Sequence, residues 1–459
     1  MLLRYKAACR VEKECIILTH STKRDSWGSK WGFILACIGS AVGMGNIWLF
    51  PARVSKYGGA TFLIPYLIFV ALIGSTGLIG EMSFGRATRS GPIHAFGEAT
   101  RMRWGNDKPG KLLGLIPVFG SLALAIGYSV VTGWIIKYTA QSFTGGLSAM
   151  EGVAEFDAEF TATAISNVPW QLVGMVLTII IMAFGIGKGI EKANKVMMPL
   201  FFVLFVGLAV YLVTLSGSRD GYRYIFLLDP KGLLDPLVWV YALGQAFFSL
   251  SIAGNGTLIY GSYLSRDSDI PSDARMVAVF DTLAAMLAAL VIIPAMAVAG
   301  QQLDKSGPGL MFIFLPNVLK DIPGGGLILV VFFLAVTFAA LTSLINLFEA
   351  PTATLQELFH LKRPVAVLII GAVGICAGIA IAPIVGQWMD VCSIYICPLG
   401  ALLAAIMFFW VCGKDYVLEH VNLSRTKPMG SWFYPTAKYV FCGVTLLVLI
   451  LGAVLGGIG

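Results

Sequence analysis

The chain has 459 residues, of which 57% are hydrophobic and only 12% are charged. Soluble domains carry roughly 25% charged residues, so this composition excludes an ordinary soluble protein and indicates one that crosses the membrane many times. The net charge of +7 would suit a nucleic-acid partner only if the positions of the charges were ignored, and we expect no nucleic acid to bind.

Long uncharged runs organise the chain beyond an N-terminal segment. We interpret residues 1–22 as a disordered cytoplasmic tail and residues 23–459 as one transmembrane domain. Runs near ~20 residues recur along this domain, and that length spans ~30 Å of hydrocarbon. The predicted spans, numbered 1 to 11, are 31–54, 61–86, 112–143, 168–187, 196–216, 235–263, 275–300, 326–358, 364–383, 388–413 and 435–458.

The distribution of charge predicts the orientation in the membrane. Most of the 32 Lys and Arg residues fall in the tail and in the loops after spans 2, 4, 6, 8 and 10. The loop after span 3 is acidic instead, with Glu151, Glu155, Asp157 and Glu159. By the positive-inside rule we expect a multi-pass plasma-membrane protein with a cytoplasmic N-terminus and an extracellular C-terminus.

Spans 1 and 6 carry glycines and polar residues at mid-depth. Span 1 contains "GSAVGMGNIWLFP" at residues 39–51, and span 6 reads "YALGQAFFSLSIAGNGTLIYGSY". Such glycines can simply allow close helix packing. Their matching positions, five spans apart, favour two broken helices and an inverted repeat over 31–216 and 235–413, with an extra helix at 435–458.

Broken helices have a chemical use. Irregular backbone is tolerated within the membrane only where it lines a cavity or binds something. Freed carbonyls can coordinate a cation, and freed N–H groups at a half-helix N-terminus favour an anion. One site could therefore hold Na⁺ and the carboxylate of an amino acid together.

Several of these segments together resemble the neurotransmitter:sodium symporter family, in particular its shorter bacterial amino-acid members. The segments are "RDSWGSKWGFILACIGSAVGMGNIWLFP", "YGGATFLIPY", "GQAFFSLSIAG" and "AALTSL", and they occur in the family order from Arg24 onwards. The resemblance implies an all-α polytopic membrane fold, with a five-plus-five inverted repeat and broken helices 1 and 6. It also implies a Na⁺-coupled symporter rather than an enzyme, in which the small-molecule substrate and the lipid bilayer are the partners.

The resemblance further implies two sodium sites. The first would use Ala41, Asn46, Ser249 and Asp281, completed by the substrate carboxylate. The second would use Gly39, Val42, Ala339, Thr342 and Ser343. These oxygen ligands suit a hard cation, and the scattered histidines and cysteines argue against a transition metal. Asp281 replaces the more common asparagine, so its charge could substitute for chloride, which we expect not to be required.

The same motifs imply a substrate site whose tyrosine, Tyr128, meets the amino-acid carboxylate. The residues implied are Ala41, Gly45, Leu124, Tyr128, Phe248, Ser249, Ser251, Gly254, Ser343 and Leu347. Amine-transporting members carry an aspartate where Gly43 stands, so we expect an amino acid. The apolar lining and the small Gly254 favour a neutral, bulky apolar or aromatic side chain.

Gating residues follow the family pattern in part. Arg24 and Glu357 match the inner-gate pair, whereas the outer-gate arginine is replaced by Leu49, so that Arg53 could pair with Asp390 instead. The intramembrane acids Glu81 and Glu349 could serve either structural hydrogen bonding or proton coupling.

Other functions remain open from the sequence. A proton-coupled amino-acid transporter is the nearest rival, and a channel or a non-transporting sensor on the same fold is a more distant one. A channel would need repeated filter elements, which the sequence does not contain. The exact substrate, the number of coupled ions and the oligomeric state are not determined by the sequence.

Overall fold

The computed structural model describes residues 25–252, 256–300 and 307–458, and the regular elements of these residues are helices. Arg24 and Gly254 lie outside the described residues, as does the segment 1–22. The all-α fold expected from the sequence is confirmed.

Seven helices of the described chain are long and apolar enough to cross a membrane, or up to nine if two bent pairs each count as one span. The seven are Ala60–Thr88, Lys108–Phe143, Ile186–Val213, Ile270–Val298, Gly325–Phe359, Arg363–Val411 and Phe433–Leu455. The bent pairs are Lys30–Ala41 with Gly45–Lys56, and Gly152–Ile165 with Val168–Ala183.

The sequence predicts eleven spans, and local features of the helices explain why up to nine are found in the described chain. Span 6 consists of two shorter helices, Pro236–Ser249 and Gly256–Gly261, on either side of undescribed residues. Spans 9 and 10 form one helical run, Arg363–Val411, which contains a 3₁₀ turn at Ala382–Ile384. The connection expected between residues 383 and 388 is therefore a short turn, and the helix resumes at Val385.

Span 5 begins earlier than the sequence predicted. Its helical run starts at Ile186 rather than at residue 196, because the charged segment before 196 is helical and held by specific contacts. The Glu191 carboxylate accepts hydrogen bonds from the Gly28 N–H at 2.6 Å and the Ser29 hydroxyl at 2.9 Å, and it pairs with Lys195 at 2.6 Å. The charged residues before residue 196 therefore belong to the helix of span 5 and not to a loop.

Helix packing encloses the broken span 1 between spans 5, 7 and 8. Span 8 packs along span 3 and also contacts span 5 and the first half of span 1. Span 7 contacts both halves of span 1. Large apolar side chains such as Phe33, Phe50 and Phe332 are fully buried between these helices. The irregular backbone of span 1 is thereby enclosed by protein, as the absence of water in the bilayer core requires.

Candidate functional site

Span 1 is broken where its glycines predicted. The helix Lys30–Ala41 ends at Val42, whose backbone is extended with φ −72° and ψ 103°. A π-helical turn at Gly45–Leu49 then leads into the helix Phe50–Lys56. The two helical parts meet at 57°.

Neighbouring side chains satisfy the backbone groups that this break releases. Ser343 Oγ donates to the carbonyls of Gly39 and Val42, at 3.2 and 3.0 Å. The Met44 N–H donates to the hydroxyl oxygen of Tyr128 at 3.0 Å. Because a buried unpaired backbone group is costly, these contacts from spans 3 and 8 stabilise the irregular segment.

Span 6 is interrupted at the corresponding place. Its first helix ends at Ser249, and Ser251 has a left-handed backbone with φ 53°, a conformation that ends helices. The Ser251 hydroxyl donates to the Ser40 carbonyl at 2.7 Å, so the two breaks contact each other. The helix is again formed at Gly256.

Three side chains predicted for the first sodium site form one buried cluster. The Asn46 amide donates to Asp281 Oδ1 at 2.8 Å and to Ser249 Oγ at 3.1 Å. Ser249 Oγ donates to Asp281 Oδ2 at 2.7 Å. All three are at most 1% exposed. Spans 1, 6 and 7 thus bring a carboxylate, a hydroxyl and an amide to one point.

The residues predicted for the second sodium site also lie together. Ser343 bridges the two span 1 carbonyls, while Thr342 Oγ1 donates to the Phe338 and Ala339 carbonyls at 2.9 and 3.1 Å. A methyl group on Gly39 would lie 2.9 Å from Thr342 Cβ, so spans 1 and 8 are in close contact there. The resulting donor set consists of neutral oxygens, which suit a hard monovalent cation.

A cavity lies between the breaks and spans 3 and 8. It is lined by Ser40, Ala41, Gly43, Met44, Gly45, Asn46, Leu124, Tyr128, Phe248, Ser251, Ser343, Asn346 and Leu347. Eight of the predicted substrate residues are therefore brought together, whereas Ser249 faces the Asp281 cluster.

Sequence reasoning missed Ser40, Met44 and Asn346 as cavity residues. Ser40 and Met44 stand within the glycine-rich motif, and Asn346 lies one helical turn beyond Ser343, so their positions did carry a signal. The side-chain oxygens of Ser40 and Asn346 have no hydrogen-bond partner.

Gly43 has a steric reason to lack a side chain. A Cβ at this position would lie 2.7 Å from the Tyr128 hydroxyl and 3.0 Å from Ser343 Oγ. Gly45 is similarly close to Phe248, at 2.7 Å. A side chain at either position would therefore displace Tyr128 or Phe248 from the break in span 1.

The predicted outer-gate residues Arg53 and Asp390 are not paired in this conformation. The Arg53 guanidinium stacks on Tyr241 at 4.2 Å, and Asp390 is exposed on span 10. On the opposite side of the membrane, Glu357 accepts the Gly91 N–H at 2.8 Å. Its expected partner Arg24 lies outside the described residues.

The two remaining intramembrane acids have different partners. Glu349 is fully buried and forms a bidentate pair with Arg363 at 2.9 and 2.7 Å, while the Tyr263 hydroxyl donates to it at 2.7 Å. Glu81 accepts a hydrogen bond from Thr257, in the second half of span 6. The paired state of Glu349 favours the structural alternative for this residue.

Comparison with known proteins gives a consistent result over nearly the whole chain. A model of the Sodium:neurotransmitter symporter family matches residues 24–162 and 155–455. The sodium-dependent transporter YhdH of Bacillus subtilis is 37% identical over 346 residues, or 74% of each chain. The sodium-dependent neutral amino acid transporter B(0)AT2 of Rattus norvegicus is 30% identical over 59% of this chain and 40% of its own.

A solved structure agrees with the fold. The crystal structure of MhsT in complex with L-phenylalanine matches with a TM-score of 0.81 and 33% identity, covering 93% of this chain and 99% of MhsT.

Proposed function

Because the chain belongs to the sodium:neurotransmitter symporter family, we propose that it imports a neutral, bulky apolar or aromatic amino acid together with Na⁺. The observation that carries the proposal is the buried meeting of Asn46, Ser249 and Asp281 beside a cavity that Tyr128 also lines. Transport would proceed by alternating access about the two broken spans. The direction, from outside to cytoplasm, assumes the cytoplasmic N-terminus that the distribution of Lys and Arg predicts.

The donor groups fit two sodium ions. Asn46, Ser249 and Asp281, with the Ala41 carbonyl, would hold the first, and Gly39, Val42, Ala339, Thr342 and Ser343 would hold the second. A bound Na⁺ supplies positive charge that attracts the substrate carboxylate. To ligate the ion, the Asn46 amide would turn its oxygen toward the place where its NH₂ now meets Asp281. The charge of Asp281 makes chloride unnecessary in this proposal.

Tyr128 would orient the substrate carboxylate. Its hydroxyl oxygen already accepts the Met44 N–H, so its own O–H proton is available to donate. Gly43 leaves room for the carboxylate next to this hydroxyl. An aspartate in its place would bring a second negative charge to the same point, which supports an amino acid rather than an amine.

The side-chain end of the cavity supports an apolar substrate. Leu124, Phe248 and Leu347 line it, and none of the lining residues is charged. The B(0)AT2 relative is named as a neutral amino acid transporter, and MhsT was crystallised with phenylalanine. A single methylene in such a pocket is worth ~1–3 kcal/mol, so discrimination among large apolar side chains would be modest.

Uptake into proteoliposomes tests the proposal. Labelled leucine and tryptophan should accumulate under an inward Na⁺ gradient, and unlabelled Leu, Met, Phe, Tyr and Trp should compete more strongly than Gly or Glu. Uptake driven equally well by a proton gradient without Na⁺ would favour the proton-coupled alternative. Competition by Gly or Glu alone would contradict the proposed substrate class.

A further inference from the structure

Asn194 on span 5 has an oxygen without a donor. The side chain is fully buried, and its NH₂ group donates to the Ile190 carbonyl at 2.9 Å. The carboxamide oxygen has no hydrogen-bond partner. Buried polar atoms are almost always paired, so an unpaired one calls for a specific explanation.

This oxygen faces the residues of the proposed second sodium site. A Cβ built on Gly39 would lie 2.2 Å from Asn194 Oδ1, 2.9 Å from Thr342 Cβ and 3.2 Å from Thr342 Oγ1. Gly39, Thr342 and Asn194 therefore meet at one point, where spans 1, 8 and 5 converge. The absence of a side chain at residue 39 is what allows the carboxamide to come so close.

The chemistry of the oxygen matches its surroundings. The carbonyls of Gly39, Val42 and Ala339 and the hydroxyls of Thr342 and Ser343 are neutral oxygens, and a carboxamide oxygen is another hard donor. We propose that Asn194 belongs to the second sodium site and contributes an oxygen from span 5. This inference rests on the proposed Na⁺ coupling.

Asn167 offers a matched control. It is also a buried asparagine whose NH₂ donates to a carbonyl, that of Val130 at 2.7 Å, and its oxygen likewise lacks a partner. It contacts Gly133 and the start of span 4, away from the residues of the second site. A purely structural role should make the two asparagines behave alike.

The test measures Na⁺ binding without transport. Purified, detergent-solubilised protein is titrated with NaCl against choline chloride at constant ionic strength, and thermal unfolding is followed by tryptophan fluorescence. Asn194→Leu, which keeps the size and loses the oxygen, should raise the Na⁺ concentration for half-maximal stabilisation about tenfold, as loss of a supporting metal partner does. Asn167→Leu should leave that concentration at the wild-type value, even if it lowers the melting temperature.

A double-mutant cycle gives a second readout. If Asn194 and Thr342 act on the same ion, adding Asn194→Leu to Thr342→Ala should shift the Na⁺ requirement by clearly less than the tenfold seen alone. Fully additive shifts would overturn the proposal, as would a wild-type Na⁺ requirement in folded Asn194→Leu.

A charged variant covers the case in which Asn194→Leu fails to fold. Asn194→Asp keeps an oxygen and adds charge, so half-maximal stabilisation should need less Na⁺ than in the wild type; an unchanged requirement would overturn the inference. A wild type that Na⁺ does not stabilise relative to choline would instead overturn the Na⁺ coupling on which the inference rests.

Discussion

At the scale of single residues, Gly43 shows how little space separates the break in span 1 from Tyr128. We expect Gly43→Ala to weaken amino-acid binding, because the new methyl group would press on the Tyr128 hydroxyl and Ser343 Oγ, at 2.7 and 3.0 Å. Such overpacking costs ~1–3 kcal/mol, or about five- to 150-fold in affinity. Equilibrium binding of labelled substrate to purified protein measures the effect.

Gly207→Ala is the matched control for this change. Gly207 lies within the helix of span 5, and a Cβ there meets nothing within 4 Å. The affinity of Gly207→Ala for the labelled substrate should therefore stay at the wild-type level. Equal affinity in Gly43→Ala and the wild type would contradict the proposed place of the carboxylate.

The hydroxyl pair on span 8 carries the second residue-scale prediction. Thr342→Ala combined with Ser343→Ala removes the two side-chain oxygens proposed for the second sodium site, and with them the bonds to the Gly39 and Val42 carbonyls. The half-saturating Na⁺ concentration for uptake should rise by more than about tenfold.

Thr354 provides the control on the same helix. Its hydroxyl bonds to the carbonyl four residues earlier, as that of Thr342 does, but it lies three turns further along span 8. Thr354→Ala should keep the wild-type Na⁺ dependence. Undiminished uptake at low Na⁺ in the double variant would remove the case for the second site.

Asp281 carries the prediction about chloride. Its buried carboxylate accepts hydrogen bonds from Asn46 and Ser249, so it would supply a negative charge beside the first sodium. We expect wild-type uptake to persist when gluconate replaces chloride, and uptake by Asp281→Asn to fail or to require chloride. Anion-replacement assays on both proteins decide this, and a wild type that stops without chloride would refute it.

At the scale of helices, the pair Glu349–Arg363 ties span 8 to the start of span 9. Arg363 also donates to the Met182 carbonyl of span 4 at 2.8 Å, and Tyr263 of span 6 donates to Glu349. Four spans therefore meet at one buried ion pair. We predict a structural role for Glu349, because its charge is already matched.

Removing one partner of this pair should be costly. Arg363→Gln leaves a buried carboxylate without a counter-charge, which costs about 3–5 kcal/mol and should lower the melting temperature. Adding Glu349→Gln should recover most of the loss, while Lys362→Gln, at the exposed neighbouring position, should change little. A double variant as unstable as Arg363→Gln would argue that the Glu349 carboxylate is needed for itself.

At the scale of the whole molecule, alternating access predicts that the buried core of span 1 opens to the cytoplasm. Cys37 is a native reporter, because it lies two residues before Gly39 and is fully buried in this conformation. In a variant that keeps only Cys37 of the eight cysteines, Arg24→Ala should raise thiol labelling from the cytoplasm. Arg24→Ala removes the predicted inner-gate pair of Arg24 with Glu357. A surface ion pair is worth ~0–1 kcal/mol, so the labelling rate should rise at most about fivefold.

Lys23→Ala controls for the loss of a nearby positive charge. In Lys23→Ala, Cys37 should be labelled at the rate seen in the parent protein. Added Na⁺ should slow the labelling of Cys37 in Lys23→Ala and in the parent protein alike. If Arg24→Ala labels no faster than Lys23→Ala, Arg24 is only a cytoplasmic positive charge before span 1 and the inner-gate prediction fails.

The sequence by itself determined the class of fold and the positions of both helix breaks. Length and hydropathy indicate that many segments cross a bilayer, and glycine with asparagine at mid-depth is unusual enough to mark irregular backbone without any knowledge of contacts. The resemblance carried by the motifs around Gly39–Asn46 and Thr342–Ser343 predicts which oxygens would serve as ligands, and these ligands remain a prediction. These are local properties of the chain.

The tertiary structure decided everything that depends on which helices face each other. Span 5 begins at Ile186 because Glu191 binds the start of span 1, a contact between residues more than 160 positions apart. Asn346 joins the cavity, and Asn194 Oδ1 lies against Gly39, for the same reason. A polar residue in an apolar helix can face lipid, a neighbouring helix or a site, and only packing selects one of these.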